Sequence, residues 1–263
     1  MKFETIVFEK AGAKAVLRIN RPERGNAFEN LTSKELLRAF EIAEKDEMVK
    51  VVVLTGTGNS FCAGGDVKEM HKHAGEGNLS SFLEELSLGI NRVIFTMRNM
   101  KKPIIGRVNG HAVGAGLGLL LGCDILIAVK EAKFSAGFTG IGLAPGCSTY
   151  FLPRLMGYNR CAEFLFCRET LTAEEAKELG LLNYVVEKEK LDEVVESIVS
   201  RIVEGPSLAV GWCKELLQKS IDNTMLEQMR LEASAIKASG CTEDAKEGIA
   251  SFVEKRKPVF KGK

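Results

Sequence analysis

Short apolar runs alternate with helical spacing of apolar residues in the first half of the chain. Residues 15–20 and 51–56 are rich in Val, Leu and Ile and predict buried strands. Between them Leu36, Leu37 and Phe40 predict one face of a helix, and residues 32–35 match a capping box that would start it. The same reading predicts a helix over 82–100 and strands over 103–108 and 124–129. This alternation indicates an α/β fold.

After about residue 148 the apolar spacing becomes helical almost throughout. It predicts one clear strand over 183–186 and helices over 172–179, 191–203, 206–221, 224–238 and 242–255. An α/β core followed by a helical C-terminal third is therefore expected, and that third is suited to packing between subunits.

Composition narrows the possible partners. The 263 residues carry 36 Lys and Arg against 35 Asp and Glu, a net charge of +1, which argues against nucleic acid as the main partner. The longest uncharged stretch, 108–123, is too short and too glycine-rich to cross a membrane, and the N-terminal residues offer no apolar run for a secretory signal. Seven cysteines without a Cys-x-x-Cys pair predict a reducing, cytoplasmic location and no metal site.

Two glycine-rich turns carry the candidate chemistry. Residues 60–66 hold the pair Gly64 and Gly65 between a predicted strand and a predicted helix, and residues 109–118 repeat that arrangement. Two such turns side by side could direct two backbone N–H groups at one oxygen, although tight packing of strand on helix is the ordinary role of such glycines. The chain contains no dinucleotide or phosphate fingerprint and no G-x-S-x-G elbow, so no cofactor and no serine nucleophile are expected.

Several spaced motifs resemble one family from end to end: RPERGNAF, FCAGGDVKEM, NGHAVGAG, IGLAPGCSTYFLPRLMG, LTAEEAKELGLLNYVV and EGIASFVEKRKPVFKGK. They are similar to the enoyl-CoA hydratase/isomerase (crotonase) superfamily. The resemblance implies a spiral core of repeated ββα units over residues 1–200 and a helical trimerisation region over 201–263. It also implies an acyl-CoA substrate, whose coenzyme A is part of the substrate and not a cofactor, and assembly as a homotrimer or a dimer of trimers.

The resemblance assigns the two oxyanion donors to the backbone N–H groups of Gly65 and Ala115. Such donors stabilise the negative charge that gathers on a thioester oxygen as an enolate forms, and removing one typically costs about 3 kcal/mol. The physical reading of the two glycine turns predicts the same kind of site, a pair of backbone donors at one oxygen.

Four further residues match positions that bind substrate in the resembling family. Ala63 and Asp66 flank the first glycine pair, and Asp66 also suits a helix N-cap. Phe252 and Lys255 match positions that reach coenzyme A, partly from a neighbouring subunit. On sequence alone, Phe252 is an ordinary apolar residue and Lys255 belongs to a solvated charged run.

The carboxylates that relatives use for proton transfer are missing. Hydratases place glutamates at the positions of Gly118 and Phe138, and isomerases place one acid at the position of Gly146. Cys147, next to 146, and His111, inside the second glycine motif, are possible substitutes. A small packing role for Cys147 and a structural role for His111 are the competing readings.

Three functions follow. The first is an acyl-CoA enzyme that isomerises or hydrates an enoyl thioester. The second is a decarboxylase or a C–C-cleaving relative that needs only the oxyanion hole. The third is a subunit that binds acyl-CoA without turning it over, since one fold hosts many chemistries.

Overall fold

The computed structural model describes residues 2–167 and 170–263. This part of the chain forms ten strands: β1 (Ile6–Ala11), β2 (Lys14–Ile19), β3 (Val51–Gly56), β4 (Ser60–Cys62), β5 (Ile104–Val108), β6 (His111–Val113), β7 (Ile125–Val129), β8 (Lys133–Ser135), β9 (Thr170–Thr172) and β10 (Tyr184–Val186). They build a six-stranded sheet in the order β1-β2-β3-β5-β7-β10 and a four-stranded sheet in the order β4-β6-β8-β9.

Eleven helices surround these sheets within the described residues: α1 (Asn30–Lys45), α2 (Val67–Gly75), α3 (Leu79–Asn99), α4 (Ala115–Leu121), α5 (Leu152–Met156), α6 (Tyr158–Phe166), α7 (Ala173–Glu178), α8 (Leu191–Val203), α9 (Ser207–Lys219), α10 (Met225–Ser239) and α11 (Glu243–Glu254). The predicted α/β core with a helical C-terminal third is therefore confirmed. After residue 148 the short strand β9 and the short helices α5 and α6 were not predicted, because runs this short carry little periodicity.

A β-β-α unit recurs along the chain. In the first repeat β3 enters the large sheet, β4 enters the small sheet and α2 follows; β5, β6 and α4 repeat this course. All six residues of β3 are buried, as expected for a strand that pairs in parallel with both β2 and β5 beneath helices. The repeat stacks the turn before α2 beside the turn before α4, since β4 and β6 are neighbours.

The capping box predicted at residues 32–35 is wrong. Helix α1 begins at Asn30, and Thr32 and Ser33 are buried inside it. Glu35 instead accepts hydrogen bonds from the backbone N–H groups of Glu4 and Thr5, both at 2.8 Å. The carboxylate therefore holds the N-terminal segment against α1, a contact between distant residues that the local pattern could not reveal.

Other helix starts follow the sequence closely. Thr172 and Thr224 each form a capping box with the glutamate three residues later, and Thr242 caps α11 through its side chain. The predicted division between residues 200 and 201 falls inside α8, and the two-unit division stays a prediction. No helix among the described residues is long and apolar enough to span a membrane.

Candidate active site

A cavity of about 320 Å³ lies where the two glycine turns meet α3. The first turn, α2, α3, the second turn and the segment after β8 form its wall. The lining residues are mostly apolar: Ala63, Gly64, Gly65, Val67, Met70, Leu83, Leu86, Ser87, Ile90, Val113, Gly114, Ala115, Gly137, Phe138, Ile141, Leu143, Ala144, Gly146 and Cys147. The volume and apolar lining are typical of a small-molecule site.

The two turns are in direct backbone contact at this cavity. Gly64 has φ +93°, and a Cβ built on it would lie 2.9 Å from the Val113 carbonyl oxygen and 3.6 Å from the Ala115 nitrogen. Any other residue here would be strained and crowded, which explains why the approach requires glycine. Gly65 and Ala115 both line the cavity.

In the part of the chain that the structure describes, each turn has one backbone N–H group without a protein partner. Among the described residues, no acceptor is found for the Gly65 N–H. The backbone bonds on either side bypass it: the Phe28 N–H donates to the Gly64 oxygen (2.7 Å), and the Asp66 N–H donates to the Phe28 oxygen (3.0 Å). Ala115 is the first residue of α4, so its N–H is one of the helix's free donors. Two unpaired donors in an apolar cavity can stabilise an oxygen that becomes negative.

Asp66 lies behind the first turn and not in the cavity wall. Its side chain is nearly fully buried, accepts from the Lys68 N–H at 3.1 Å and caps α2. It also lies 3.2 Å from an Arg21 guanidinium nitrogen and 3.7 Å from one of Arg24. The buried carboxylate thus fixes the start of α2 and the adjacent Gly65.

The three positions of the missing acids differ in their surroundings. Phe138 and Gly146 line the cavity, whereas Gly118 does not. A Cβ built on Gly118 would collide with the Sγ of Cys147. A Cβ built on Gly146 would lie 3.2 Å from the Ser87 Oγ, a hydroxyl at the cavity wall. Cys147 therefore fills the space that a side chain at 118 would need, whereas a side chain at 146 would meet only the Ser87 hydroxyl at close range.

Cys147 is the single ionisable side chain among the described residues of the cavity wall; carboxylates, imidazoles, amines and phenols are absent from that wall. Burial raises the pKa of its thiol to about 12, so the thiol is protonated at neutral pH. The other polar side chain there is Ser87, whose Oγ donates to the Gly146 carbonyl oxygen at 3.3 Å.

The remaining site residues predicted from sequence lie apart from this wall, except Ala63, which belongs to it. The Nδ1 of His111 accepts from the Lys133 N–H at 3.1 Å, an arrangement that joins β6 to β8. Phe252 is 85% exposed near the end of α11, and Lys255 follows that helix with a positive φ of 55°. Neither lines the cavity of its own chain.

Sequence reasoning missed the wall that α3 provides. Leu83, Leu86, Ser87 and Ile90 face the cavity from that helix. Their three- and four-residue spacing was visible, but periodicity identifies an apolar face without telling whether it meets a core or a cavity. Among the described residues, no group of three or more His, Cys, Asp or Glu side chains could hold a metal ion.

Recurring β-β-α units that bring two glycine turns to one apolar cavity are typical of an α/β enzyme that binds a small molecule. The family model described as enoyl-CoA hydratase/isomerase matches residues 9–263, and the chain belongs to this family. The crotonase-type fold and the acyl-CoA enzyme class expected from sequence are thereby confirmed.

Individual relatives carry different reaction names. A crotonyl-CoA hydratase from Syntrophomonas wolfei is 36% identical and covered over 99% of both chains. A trans-2-decenoyl-[acyl-carrier-protein] isomerase from Streptococcus mutans is 31% identical over 100% of both. The crystal structure of an enoyl-CoA hydratase subunit from Geobacillus kaustophilus superposes with a TM-score of 0.91 at 35% identity, covering 100% of both chains.

Proposed function

We propose that this chain binds an acyl-CoA thioester with the carbonyl oxygen between the N–H groups of Gly65 and Ala115 and stabilises the enolate of that thioester. The observation that carries the proposal is that Gly65 and Ala115 line one apolar cavity where two glycine turns touch, and that neither N–H group has a protein acceptor within the described residues. In a cavity that excludes water such donors act strongly, because few solvent dipoles compete with them.

The reaction we favour first is isomerisation or hydration of an enoyl-CoA. Relatives that match the whole chain bear these reaction names. Both reactions pass through a thioester enolate, so the amide pair serves either. Neither Gly118, Phe138 nor Gly146 offers the carboxylate that the resembling enzymes use.

A second reaction is favoured by the lack of carboxylates in the described cavity wall. Loss of carbon dioxide from a 2-carboxyacyl-CoA, or another C–C cleavage, produces the enolate from the bond that breaks and needs no side chain to remove an α-proton. The ring of Phe138 and the surrounding aliphatic groups disfavour a substrate carboxylate more than the delocalised enolate.

Three substrates separate the reactions. The purified protein is incubated with crotonyl-CoA to test hydration, with 3-hexenoyl-CoA to test isomerisation and with methylmalonyl-CoA to test decarboxylation, and products are measured by mass spectrometry. Turnover of either enoyl-CoA supports the first reaction, and turnover of methylmalonyl-CoA alone supports the second. Binding of these thioesters in calorimetry without any turnover would favour the non-catalytic subunit and contradict both reactions.

We also propose that the chain works as a trimer or a dimer of trimers, in which Phe252 and Lys255 of one subunit approach coenzyme A bound to the next. The large apolar exposure of α10 and α11 supports an interface there, for example at Met225 (79%) and Phe252 (85%). Sedimentation should give three or six times the 28.7 kDa of one chain. A single-chain mass at micromolar concentration would contradict this assembly.

A cytoplasmic location is the last part of the proposal. All seven cysteines are free thiols, and four of them are buried or partly buried where oxidation would disturb packing. A reducing compartment suits such a set. Fractionation of cells that produce the native chain, probed with an antibody, would test it.

A further inference from the structure

We propose that the hydroxyl of Ser87 determines specificity in this cavity by accepting a hydrogen bond from a hydroxyl group on the acyl chain, close to the thioester carbonyl. The inference rests on the proposed acyl-CoA function and names a class of ligand for the same site, the hydroxyacyl-CoA thioesters. In this assignment Ser87 contacts the ligand and transfers no proton of the reaction.

Ser87 is the exception in an apolar wall. Within the described residues that line the cavity, it is the single side chain that carries an oxygen or a nitrogen atom. The thiol of Cys147 is the other polar group, and sulfur is a weak acceptor. A ligand hydroxyl that enters such a cavity loses its hydrogen bonds to water, and leaving it unpaired there is costly. Ser87 is therefore the side chain that can replace one of those bonds.

The Ser87 hydroxyl is directed away from its own helix. Serine inside a helix often donates to the carbonyl oxygen four residues earlier. Ser87 donates instead to the carbonyl oxygen of Gly146, at 3.3 Å. Both residues line the cavity, Ser87 from α3 and Gly146 from the segment after β8. The oxygen thus lies where these two parts of the wall meet.

One hydrogen-bonding position of this oxygen is left over. A serine hydroxyl has one donor and two acceptor positions. The donor serves Gly146, and one acceptor position takes the Nδ2 of Asn91 at 3.5 Å, one turn further along α3. The Oγ has no other partner in the part of the chain that the structure describes. A ligand that donates an O–H suits the remaining position, whereas a ligand that only accepts would have to displace Gly146.

The hydroxyl lies near the place of the reacting carbons. A Cβ built on Gly146, the position of the isomerase acid, would lie 3.2 Å from the Ser87 Oγ. A Cβ built on Gly65, a proposed oxyanion donor, would lie 3.2 Å from the Cδ2 of Leu86. Helix α3 therefore passes the proposed carbonyl site at residues 86 and 87. We expect Ser87 to meet the first carbons of the acyl chain and not its far end.

A purely structural role of Ser87 makes a different prediction. Its bond to Gly146 joins α3 to the segment after β8, and losing that bond could change the shape of the cavity for every thioester. Such a change would alter the affinities for hydroxylated and plain acyl chains by the same factor. The ratio of these two affinities therefore separates recognition of a ligand hydroxyl from support of the wall.

Two thioesters that differ by one hydroxyl test the proposal. Each enantiomer of 3-hydroxybutyryl-CoA is compared with butyryl-CoA by rapid ultrafiltration. Mass spectrometry counts the bound and free amounts of each thioester separately, so turnover does not distort the ratio. We expect Ser87→Ala to lower the affinity ratio of one hydroxylated enantiomer to butyryl-CoA about three- to tenfold, the usual effect of one hydrogen bond. The affinity for butyryl-CoA itself should stay within threefold of wild type.

Two further variants control the experiment. Ser87→Thr keeps a hydroxyl on the same carbon and should retain more of the wild-type ratio than Ser87→Ala. Ser81→Ala removes an exposed serine of the same helix that does not line the cavity, and it should show the wild-type ratio. Circular dichroism checks that all three variants fold.

The outcomes separate the two proposals. An unchanged ratio in Ser87→Ala, or an equal loss of affinity for both thioesters, overturns the role of Ser87 and leaves the acyl-CoA function intact. A wild type that binds neither of these thioesters nor crotonyl-CoA overturns the acyl-CoA function itself, and the role of Ser87 falls with it.

Discussion

The ammonium nitrogen of Lys214 lies 2.8 Å from a carboxylate oxygen of Asp124. Lys214 is 7% exposed and also donates to the carbonyl oxygens of Met97 (2.8 Å) and Lys102 (3.0 Å). Asp124 in turn accepts from the Ile104 N–H at 2.8 Å, where β5 begins. A single buried ammonium group thus attaches α9 to the end of α3 and to the large sheet.

Replacing Lys214 should destabilise the fold. Lys214→Met keeps much of the aliphatic stem but removes the donor to two carbonyl oxygens and leaves the Asp124 carboxylate with Arg98, at 3.6 Å, as its remaining cation. We expect a loss of about 3 kcal/mol in the free energy of unfolding. Urea denaturation at one fixed protein concentration measures it. Lys219→Ala, at the exposed end of the same helix, is the control and should change stability by less than about 0.5 kcal/mol. Equal stability of the two variants would contradict the role given to Lys214.

Deleting one oxyanion donor should reduce turnover while sparing the fold. Ala115 is the first residue of α4, a position where proline is tolerated because that N–H has no helical partner. Ala115→Pro should lower kcat about 10²- to 10³-fold on whichever thioester wild type converts. Ala115→Gly keeps the N–H and should stay within tenfold of wild type. Circular dichroism checks folding, and equal kcat for both variants would argue against an oxyanion hole here.

The fold should tolerate a carboxylate side chain in place of Gly146. The nearest obstacle to a Cβ there is the Ser87 hydroxyl at 3.2 Å, which a small shift relieves. We expect Gly146→Asp to fold and to raise 3-hexenoyl-CoA isomerisation at least tenfold above wild type, since one acid can take and return the migrating proton. Gly146→Asn has the same shape without the acid and should show no gain. A gain in both variants would show that the acid is not responsible.

A carboxylate side chain in place of Gly118 should destabilise the fold. The Sγ of Cys147 occupies the space of the first side-chain carbon, so Gly118→Glu should unfold at markedly lower urea concentration than wild type. Adding Cys147→Ala should restore part of that loss, and the two changes should be non-additive because they share one space. A double variant that is no more stable than Gly118→Glu would contradict the contact.

Alkaline pH should weaken the fold through its buried thiols. Burial raises the folded-state pKa of Cys147 to about 12 from an ordinary value near 9. For a group with a raised folded-state pKa, the stabilisation is complete below the unfolded pKa and is lost as pH rises towards the folded one. Between about pH 9 and 11 the unfolding free energy of wild type should fall more steeply than that of Cys147→Ala, by up to about 1.4 kcal/mol per pH unit. Parallel curves would contradict the raised pKa.

Local patterns predicted most of the fold. Val51–Gly56 and Leu191–Val203 carry apolar spacing that matches the observed elements residue for residue, and the helix predicted over 224–238 corresponds to α10 within one residue at each end. Helices and strands whose own residues show clear apolar spacing were predicted in this way. Glu35 marks the limit, because a match to the capping pattern was outweighed by its bonds to Glu4 and Thr5.

The site was predictable only in part. Gly65 and Ala115 stand in motifs, and the structure places them in one cavity wall. The relation between Gly118 and Cys147 is invisible in sequence, because it depends on a loop after β8 folding back on α4. The same holds for Ser87, whose helix carries no mark of the cavity that it lines.

The sulfur lodged in the space above Gly118 affects how new chemistry could be introduced into this scaffold. Position 146 can gain an acid by one substitution, whereas position 118 requires a coordinated exchange of two neighbours, with a poorly folded protein as the intermediate. Introducing the acid of an isomerase therefore takes one substitution. Introducing the acid of a hydratase at 118 first lowers the free energy of unfolding, and a second substitution at 147 must restore it.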